Sequence, residues 1–214
     1  MNASFFFNKI VLLMVAATAL PVHEYAHAYV AHRLGDDTAR YQGRMTLNPL
    51  AHLDPIGTLL LVLVGVGWAK PVPINPRNFK NPKLGMALSS LAGPVSNILL
   101  ALVLMIVYKV LVLTGAVASV SALYMLSAIL SIMVTTNVYL AVFNLLPVPP
   151  LDGSRILFYF LPERYYFKIM QYEQFILLIV FAVIWFGLLD RPLAVVSNAI
   201  LQLLNLCTIF LGSF

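Results

Sequence analysis

Long apolar runs separated by short polar segments dominate the chain. A helix needs about 20 apolar residues to cross the hydrocarbon core of a membrane. The first candidate span covers residues 5–30 and ends near Arg33 and Gly35, and further apolar runs cover residues 84–113, 117–146, 174–189 and 192–211. The pattern therefore predicts an all-α polytopic membrane protein, with the last two runs forming two C-terminal transmembrane helices.

One apolar run, residues 56–69, is too short to cross the membrane and is interrupted by Gly57, Gly65 and Gly67. Backbone that enters a membrane without crossing it is tolerated where it packs against protein. We therefore predict a re-entrant element or short membrane-embedded strands, with residues 45–47 as an edge strand beside them. The pattern leaves open whether residues 56–69 form strands, a helix or a re-entrant loop.

Composition agrees with a membrane protein, because 61% of residues are hydrophobic and only 10% are charged, against roughly 25% charged in soluble domains. The net charge of +5 does not indicate a nucleic-acid partner, since the basic residues lie in short loops instead of a continuous stripe. The basic loops at residues 70–83 and 153–168 are predicted to face the cytoplasm. The single cysteine, Cys207, excludes an intrachain disulfide and a thiolate zinc cluster.

The beginning of the chain also has the apolar character of a signal peptide. The basic segment that normally precedes such a core is nearly absent, with Lys9 alone, so we expect a retained first helix. Cleavage after Ala28 would remove the most informative motif of the chain.

That motif is His23-Glu24-Tyr25-Ala26-His27, which has the form H-E-x-x-H. Residues i and i+4 of an α-helix lie about 40° apart, so both imidazoles can reach one metal ion. Glu24 lies beside them without competing for the metal, where a carboxylate can take a proton from zinc-bound water and deliver it to a leaving amine. The alternative is a pair of histidines hydrogen-bonded in the helix bundle, but ionisable residues inside a span are usually functional.

A catalytic zinc site usually has three protein ligands, so a third must come from elsewhere. Asp152 follows a proline-rich break in the chain and precedes Gly153, and we favour it as the ligand over an N-cap. His52 lies in a polar loop and is left open as a ligand, a residue that supports the site or contacts substrate, or an ordinary loop histidine. His32 lies on the opposite face of its helix from His23.

Two asparagines lie inside predicted spans, Asn97 one turn after Gly93-Pro94 and Asn144 at the end of the run 117–146. Gly93-Pro94 is expected to loosen its helix and free a backbone carbonyl. Either asparagine could bind the substrate backbone or stabilise an oxyanion. Interhelical hydrogen bonding is the alternative for both.

Together the motifs resemble the site-2 protease family of intramembrane zinc metalloproteases. The resemblance rests on H-E-x-x-H, on Asn144-x-x-Pro147-x-Pro149-x-x-Asp152-Gly153, and on flanks such as Lys70-Pro71-Val72-Pro73 and Ala92-Gly93-Pro94-Val95-Ser96-Asn97. It implies one Zn²⁺ held by His23, His27 and Asp152, with Glu24 activating water. It also implies a three-helix catalytic core with membrane-embedded strands. We therefore expect a minimal form of the family, without PDZ-like or nucleotide-sensing domains.

These observations predict an endopeptidase that hydrolyses transmembrane substrates in the bilayer. Residues 1–155 are predicted to form the catalytic membrane core, and residues 156–214 an amphipathic loop and two further helices. We expect a multi-pass protein of the cell membrane with a site reached from the cytoplasm. A metal-ion carrier or a catalytically silent membrane scaffold is the alternative, although neither needs Glu24 beside the metal.

Overall fold

The computed structural model describes residues 3–64, 67–115, 117, 121–162, 168–169, 171–212 and 214. Eight helices are described here, α1 (Ala3–Arg33), α2 (Thr38–Tyr41), α3 (Pro55–Val64), α4 (Pro82–Leu113), α5 (Ser121–Asn144), α6 (Asp152–Phe160), α7 (Glu173–Trp185) and α8 (Asp190–Cys207). Short 3₁₀ turns cover Pro49–Ala51, Pro76–Asn78 and Ile209–Leu211. The all-α prediction is confirmed for the described residues.

The ends of the long helices follow from local sequence. α4 begins where the Asn81 side chain accepts a hydrogen bond from the Leu84 amide and Pro82 occupies the first turn, because proline needs no intrahelical partner there. The chain leaves α1 at Gly35, which has a φ of +107°, a conformation that glycine adopts without steric cost. These signals place both helix ends close to the predicted ones.

Two described helices are long and apolar enough to cross a membrane, α4 and α5. α7 and α8 meet that criterion only as a pair, and they are bent by 82° at the break between them. The prediction of two separate C-terminal spans is therefore not confirmed, since the pair forms one broken span or a re-entrant loop. α1, with 31 residues, is also long enough to cross.

Residues 53–69 fold back on themselves. α3 is a ten-residue helix, about 15 Å long at 1.5 Å per residue and so too short to cross. Leu53 and Ala69 then pair in an isolated antiparallel bridge. A side chain on Gly57 would overlap the backbone of Trp68, so this glycine permits the close return.

The structure partly answers whether residues 56–69 form strands, a helix or a re-entrant loop. Residues up to 64 are helical, and the described residues contain no strand beyond the isolated bridge, so the predicted membrane-embedded strands and the edge strand at 45–47 are not confirmed. Gly65 lies outside the described residues.

The core lies around α4, which packs against α1, α5 and α6. One apolar cluster joins α4, α5 and α8 through Ala101, Met105, Val134, Val138, Val142, Leu193 and Leu204. A second cluster joins α1 to α5 through Val11, Val15, Ala19 and Met133. α1 and α6 are therefore both held against α4, and the candidate site forms between them.

Lys109 is buried in the last part of α4 and anchors the end of α8. Its Nζ donates to Asn205 Oδ1 at 2.7 Å and to the Thr208 carbonyl at 3.1 Å. A cation beside the carbonyls at a helix C-terminus is favourable because those carbonyls have no intrahelical partner. This lysine therefore ties the C-terminal helix to the central one.

Candidate metal centre

Two histidines and one aspartate converge where α1 meets α6. The Nε2 atoms of His23 and His27, one turn apart on α1, lie 2.9 Å from each other. Asp152 Oδ2 lies 3.2 Å from Nε2 of His23 and 3.3 Å from Nε2 of His27. Both histidines are buried, and the Asp152 side chain is only 12% exposed. The structure thus brings together the three residues that the sequence indicated as ligands.

The three ligand atoms form a triangle close to the size that zinc requires, and slightly smaller. Zinc bonds of about 2.0–2.2 Å in a tetrahedral arrangement put neighbouring ligand atoms about 3.4 Å apart. The observed separations are 2.9, 3.2 and 3.3 Å. Two imidazoles and a carboxylate also match the donor set of catalytic zinc sites, which keep a fourth position open. These residues could hold a metal ion.

Asp152 reaches this point because the chain turns sharply after α5. The proline-rich segment that follows Asn144 cannot continue the helix, and α6 begins at Asp152 with Leu151 as its N-cap. A Cβ on Gly153 would overlap the Leu145 carbonyl. Glycine is therefore required for the turn that aims the carboxylate at α1, and Asp152 is not the N-cap.

One face of α4 supports both histidines, through residues spaced four apart. The Nδ1–H of His27 donates to the Ser89 carbonyl at 2.7 Å. The side chain of Asn97 lies 3.2 Å from Nδ1 of His23. A Cβ on Gly93 would overlap His27 and would lie 2.6 Å from Cε1 of His23. The imidazoles therefore pack directly on the backbone of α4.

Glu24 is held beside the cluster by a backbone group. Its side chain is buried, and its Oε2 accepts the Val72 amide at 2.9 Å. Pro71 and Pro73 flank that residue and have no amide hydrogen, so Val72 offers the single N–H of this three-residue run. The carboxylate is thereby oriented without using either histidine.

We expect Val72→Pro to reduce kcat about tenfold with little change in bound zinc. Proline removes the amide, and a hydrogen bond to a charged group contributes about 1.5 kcal/mol or more. Val72→Ala keeps the amide and is the matched control. Steady-state kinetics and zinc content of both variants check the expectation, and equal kcat values for the two would contradict a positioning role for this amide.

The segment that carries Val72 is fixed to the rest of the protein on both sides. Before it, the Lys70 amide donates to the His52 carbonyl at 2.8 Å, and Arg44 Nη2 donates to the Lys70 carbonyl at 2.5 Å. After it, the Asn75 amide donates to Asp36 Oδ2 at 2.7 Å. The position of Val72 beside Glu24 therefore depends on this loop scaffold.

Asp36 is the anchor at the far end of this segment. Burial alone raises the pKa of its carboxyl, but hydrogen bonds from Thr38, Asn75 and Asn78 outweigh that effect and lower the pKa below its usual value. Asp36 therefore stays ionised at neutral pH, and the loop keeps a charged acceptor there.

The other predicted site residues lie in different surroundings. Asn144 lines a pocket beside the cluster together with Glu24, Val72 and Arg155, and its Nδ2 donates to the Leu140 carbonyl at 3.0 Å. Asn97 is 1% exposed. Its side chain contacts His23, and contact with a substrate stays untested.

His52 and His32 are not brought to the cluster. His52 is fully buried, and its Nε2 lies 2.7 Å from the Thr46 carbonyl. It therefore stabilises the loop whose backbone carbonyl, at His52 itself, accepts the Lys70 amide. His32 Nδ1 lies 2.6 Å from Asp37 Oδ1 at the end of α1, which agrees with its expected position on another face. A direct role for His52 in substrate binding stays a prediction.

Residues 10–187 match peptidase family M50. The chain belongs to peptidase family M50. The resemblance to site-2 proteases and the assignment as a metallopeptidase are thereby confirmed. Helices α4 and α5, which are apolar enough to cross a membrane, agree with the membrane character of this family.

The relatives are named as zinc metalloproteases. YwhC of Bacillus subtilis (strain 168), named as a candidate zinc metalloprotease, is 45% identical over 170 residues, which cover 77% of this chain and 75% of YwhC. Rip2 of Mycobacterium tuberculosis (strain H37Rv), also a candidate, is 30% identical over 67% of this chain and 55% of its own length. Zinc metalloprotease MJ0392 of Methanocaldococcus jannaschii is 28% identical over 77% of this chain and 38% of its own length. No solved structure matches the chain significantly.

The prediction of zinc as cofactor agrees with these names and with the metal-sized cluster of His23, His27 and Asp152. The matched region covers three quarters of YwhC but only about half of Rip2. Family membership therefore extends over most of this chain, whereas larger relatives contain further sequence that this comparison does not reach.

Several contributing residues did not stand out in the sequence. Ser89 and Val72 act through backbone atoms, which no side-chain motif indicates. Arg155 lines the pocket. The sequence indicates it only through its position three residues after Asp152 on α6, which places both residues on one side of that helix. Gly93 was noted as a helix-loosening residue, but its contact with the imidazoles requires knowledge of how α4 packs on α1.

Proposed function

We propose that this M50 family member is an intramembrane zinc endopeptidase that cleaves transmembrane proteins. The observation that carries the proposal is the metal-sized triangle of His23, His27 and Asp152 with the Glu24 carboxylate beside it. The triangle lies against α4, a helix apolar enough to cross a membrane. A carrier or a scaffold has no use for a separately oriented carboxylate at this position.

The residues divide the chemistry among them. His23, His27 and Asp152 would hold zinc, which when bound polarises the scissile carbonyl and makes water more acidic. Glu24 takes a proton from the attacking water and passes it to the leaving amine. The Val72 amide keeps the carboxylate oriented for both transfers. Asn144 and Arg155 line the pocket and are candidates for contacts to substrate carbonyls.

Substrate access would follow from the extended segment beside the site. A transmembrane helix uses its carbonyls in intrahelical hydrogen bonds, so a substrate must unwind locally before hydrolysis. An unwound substrate segment could then pass along residues 70–74 to reach the pocket. These residues include Pro71 and Val72, which border the pocket.

The arrangement in the bilayer is part of the same proposal. α1, α4 and α5 would form the three-helix catalytic core within residues 1–155, and residues 156–214 would form an accessory C-terminal region. Basic loops that include residues 70–83 favour a cytoplasmic position for the entrance. We propose the cell membrane as the location, with the lipid bilayer and a transmembrane substrate as partners and no nucleic acid involved.

We expect removal of zinc with 1,10-phenanthroline to abolish cleavage of single-span reporter peptides in liposomes. Zinc added in an amount equimolar with the chelator should restore cleavage. Zinc supplies the Lewis acid that the side chains cannot replace. Metal analysis before and after chelation, with mass spectrometry of the products, provides the measurement. Persistent cleavage by protein shown to be free of zinc would overturn the mechanism. Bound zinc without cleavage, together with zinc flux across the vesicles, would support the carrier alternative.

A further inference from the structure

We propose that Asn97 is a positioning residue for zinc binding, accepting a hydrogen bond from Nδ1–H of His23 through its Oδ1 atom. The proposal rests on the zinc site described above and assigns a role to a residue outside the three ligands. Its consequence is that Asn97 decides which nitrogen of His23 carries the proton.

His27 shows what such a support does. Its Nδ1 lies 2.7 Å from the Ser89 carbonyl, and a carbonyl can only accept, so Nδ1 must carry the hydrogen. In a neutral ring the hydrogen on Nδ1 leaves the lone pair of Nε2 free. That Nε2 atom is the one 3.3 Å from Asp152, so His27 is already in the tautomer that binds a metal.

His23 needs an equivalent acceptor. Its Nε2 points at the same cluster, 3.2 Å from Asp152, so its proton must also lie on Nδ1 for a metal to bind. The side chain of Asn97 lies 3.2 Å from that Nδ1. Metal-bound histidines almost always donate their other ring N–H to an acceptor, which fixes the ring and raises its basicity.

The free oxygen of Asn97 can supply this acceptor. Oδ1 is buried and has no hydrogen-bond partner among the described residues, while Nδ2 is the atom near His23. A 180° turn of the amide exchanges the two atoms without changing the shape of the side chain. After the turn Oδ1 faces His23 Nδ1, and Nδ2 takes the buried position that Oδ1 held. Only this orientation leaves Nε2 of His23 unprotonated toward the metal.

Substitutions at residue 97 separate this role from simple packing. Asn97→Leu keeps the number and branching of the side-chain heavy atoms and removes the acceptor. Asn97→Asp retains an acceptor oxygen and therefore should rescue zinc binding. Asn137→Leu is a matched control, because Asn137 is also fully buried in a long helix and its Oδ1 has no partner in the part of the chain that the structure describes. Its amide donates to the Met133 carbonyl instead of contacting a zinc ligand.

The experiment measures zinc affinity of purified, metal-free protein in detergent by competition with a chromophoric chelator. We expect Asn97→Leu to weaken zinc affinity at least tenfold, within the range of about 10–100-fold found for partners of metal ligands. Asn97→Asp and Asn137→Leu should lose less zinc affinity than this tenfold threshold. In ¹⁵N-histidine spectra of the metal-free protein, His23 should be protonated on Nδ1 in wild type and lose that preference in Asn97→Leu.

Each outcome has a distinct meaning. Wild-type affinity in Asn97→Leu, or equal loss in Asn97→Asp and Asn97→Leu, would overturn the proposed role of Asn97 while leaving the zinc site in place. An Nε2-protonated His23 in wild type would overturn it as well. Failure of wild type and Asn137→Leu to bind zinc would instead overturn the proposed function on which this role depends.

Discussion

Replacing Glu24 with glutamine is expected to lower kcat by about 10²–10⁴-fold, the usual contribution of a positioned acid or base, with zinc still bound at one ion per chain. Glutamine has nearly the same shape and can still accept the Val72 amide, which lies 2.9 Å from Oε2 in the native protein. It cannot take a proton from water. His23, His27 and Asp152 are unchanged, so metal binding should survive.

The measurement is cleavage of a single-span reporter with parallel zinc analysis of the same preparation. Asp37→Asn is the matched control, because Asp37 is also a carboxylate near the end of α1 but pairs with His32 away from the pocket. We expect this control to cleave at the wild-type rate. Undiminished turnover by Glu24→Gln would contradict the assignment of Glu24 as the proton carrier, whatever its zinc content.

The zinc ligands could be predicted because short sequence patterns indicate each of them. His23 and His27 are four residues apart on a helix, which alone places both rings on one side. Asp152 could be anticipated because the proline-rich segment before it must leave the helix. In each case a short-range rule was enough to indicate a side chain.

The support of the ligands could not be predicted in the same way, because it depends on how helices pack. Ser89 and Asn97 meet the imidazoles only once α4 lies against α1. Sequence distance between these residues gives no rule for that contact. The amide of Val72 is similar, since its bond to Glu24 follows from a loop fixed by Arg44 and Asp36.

The less successful predictions concern membrane segments, for a related reason. Residues 174–211 are apolar enough for two spans by composition, yet α7 and α8 form a pair bent by 82°. Lys109 on α4 donates to the Thr208 carbonyl at the C-terminal end of that pair, although the two residues are 99 positions apart in the sequence. Apolar length therefore indicates membrane residence, whereas tertiary contacts determine the path taken.

Gly93→Ala is expected to weaken zinc affinity by about 100-fold, the upper range of overpacking costs of about 1–3 kcal/mol. The added Cβ would overlap His27 and would lie 2.6 Å from Cε1 of His23. Neither ring can retreat freely, because His27 is also bonded to the Ser89 carbonyl. α4 must therefore move away from α1, or the two Nε2 atoms must leave the positions that zinc requires.

Gly85→Ala separates this effect from general destabilisation, because it makes the same change two turns earlier on the same helix. A Cβ there would overlap the ring of Phe79, which is not part of the metal cluster. Both variants should lower the melting temperature, but only Gly93→Ala should lose zinc in chelator competition. Wild-type affinity in Gly93→Ala would show that the imidazoles can be repositioned, and the close packing of α4 against the ligands would then not be needed for the site. Loss of zinc in Gly93→Ala alone would instead explain why a residue without a side chain stands between Ser89 and Asn97, the two residues that contact the metal-binding histidines.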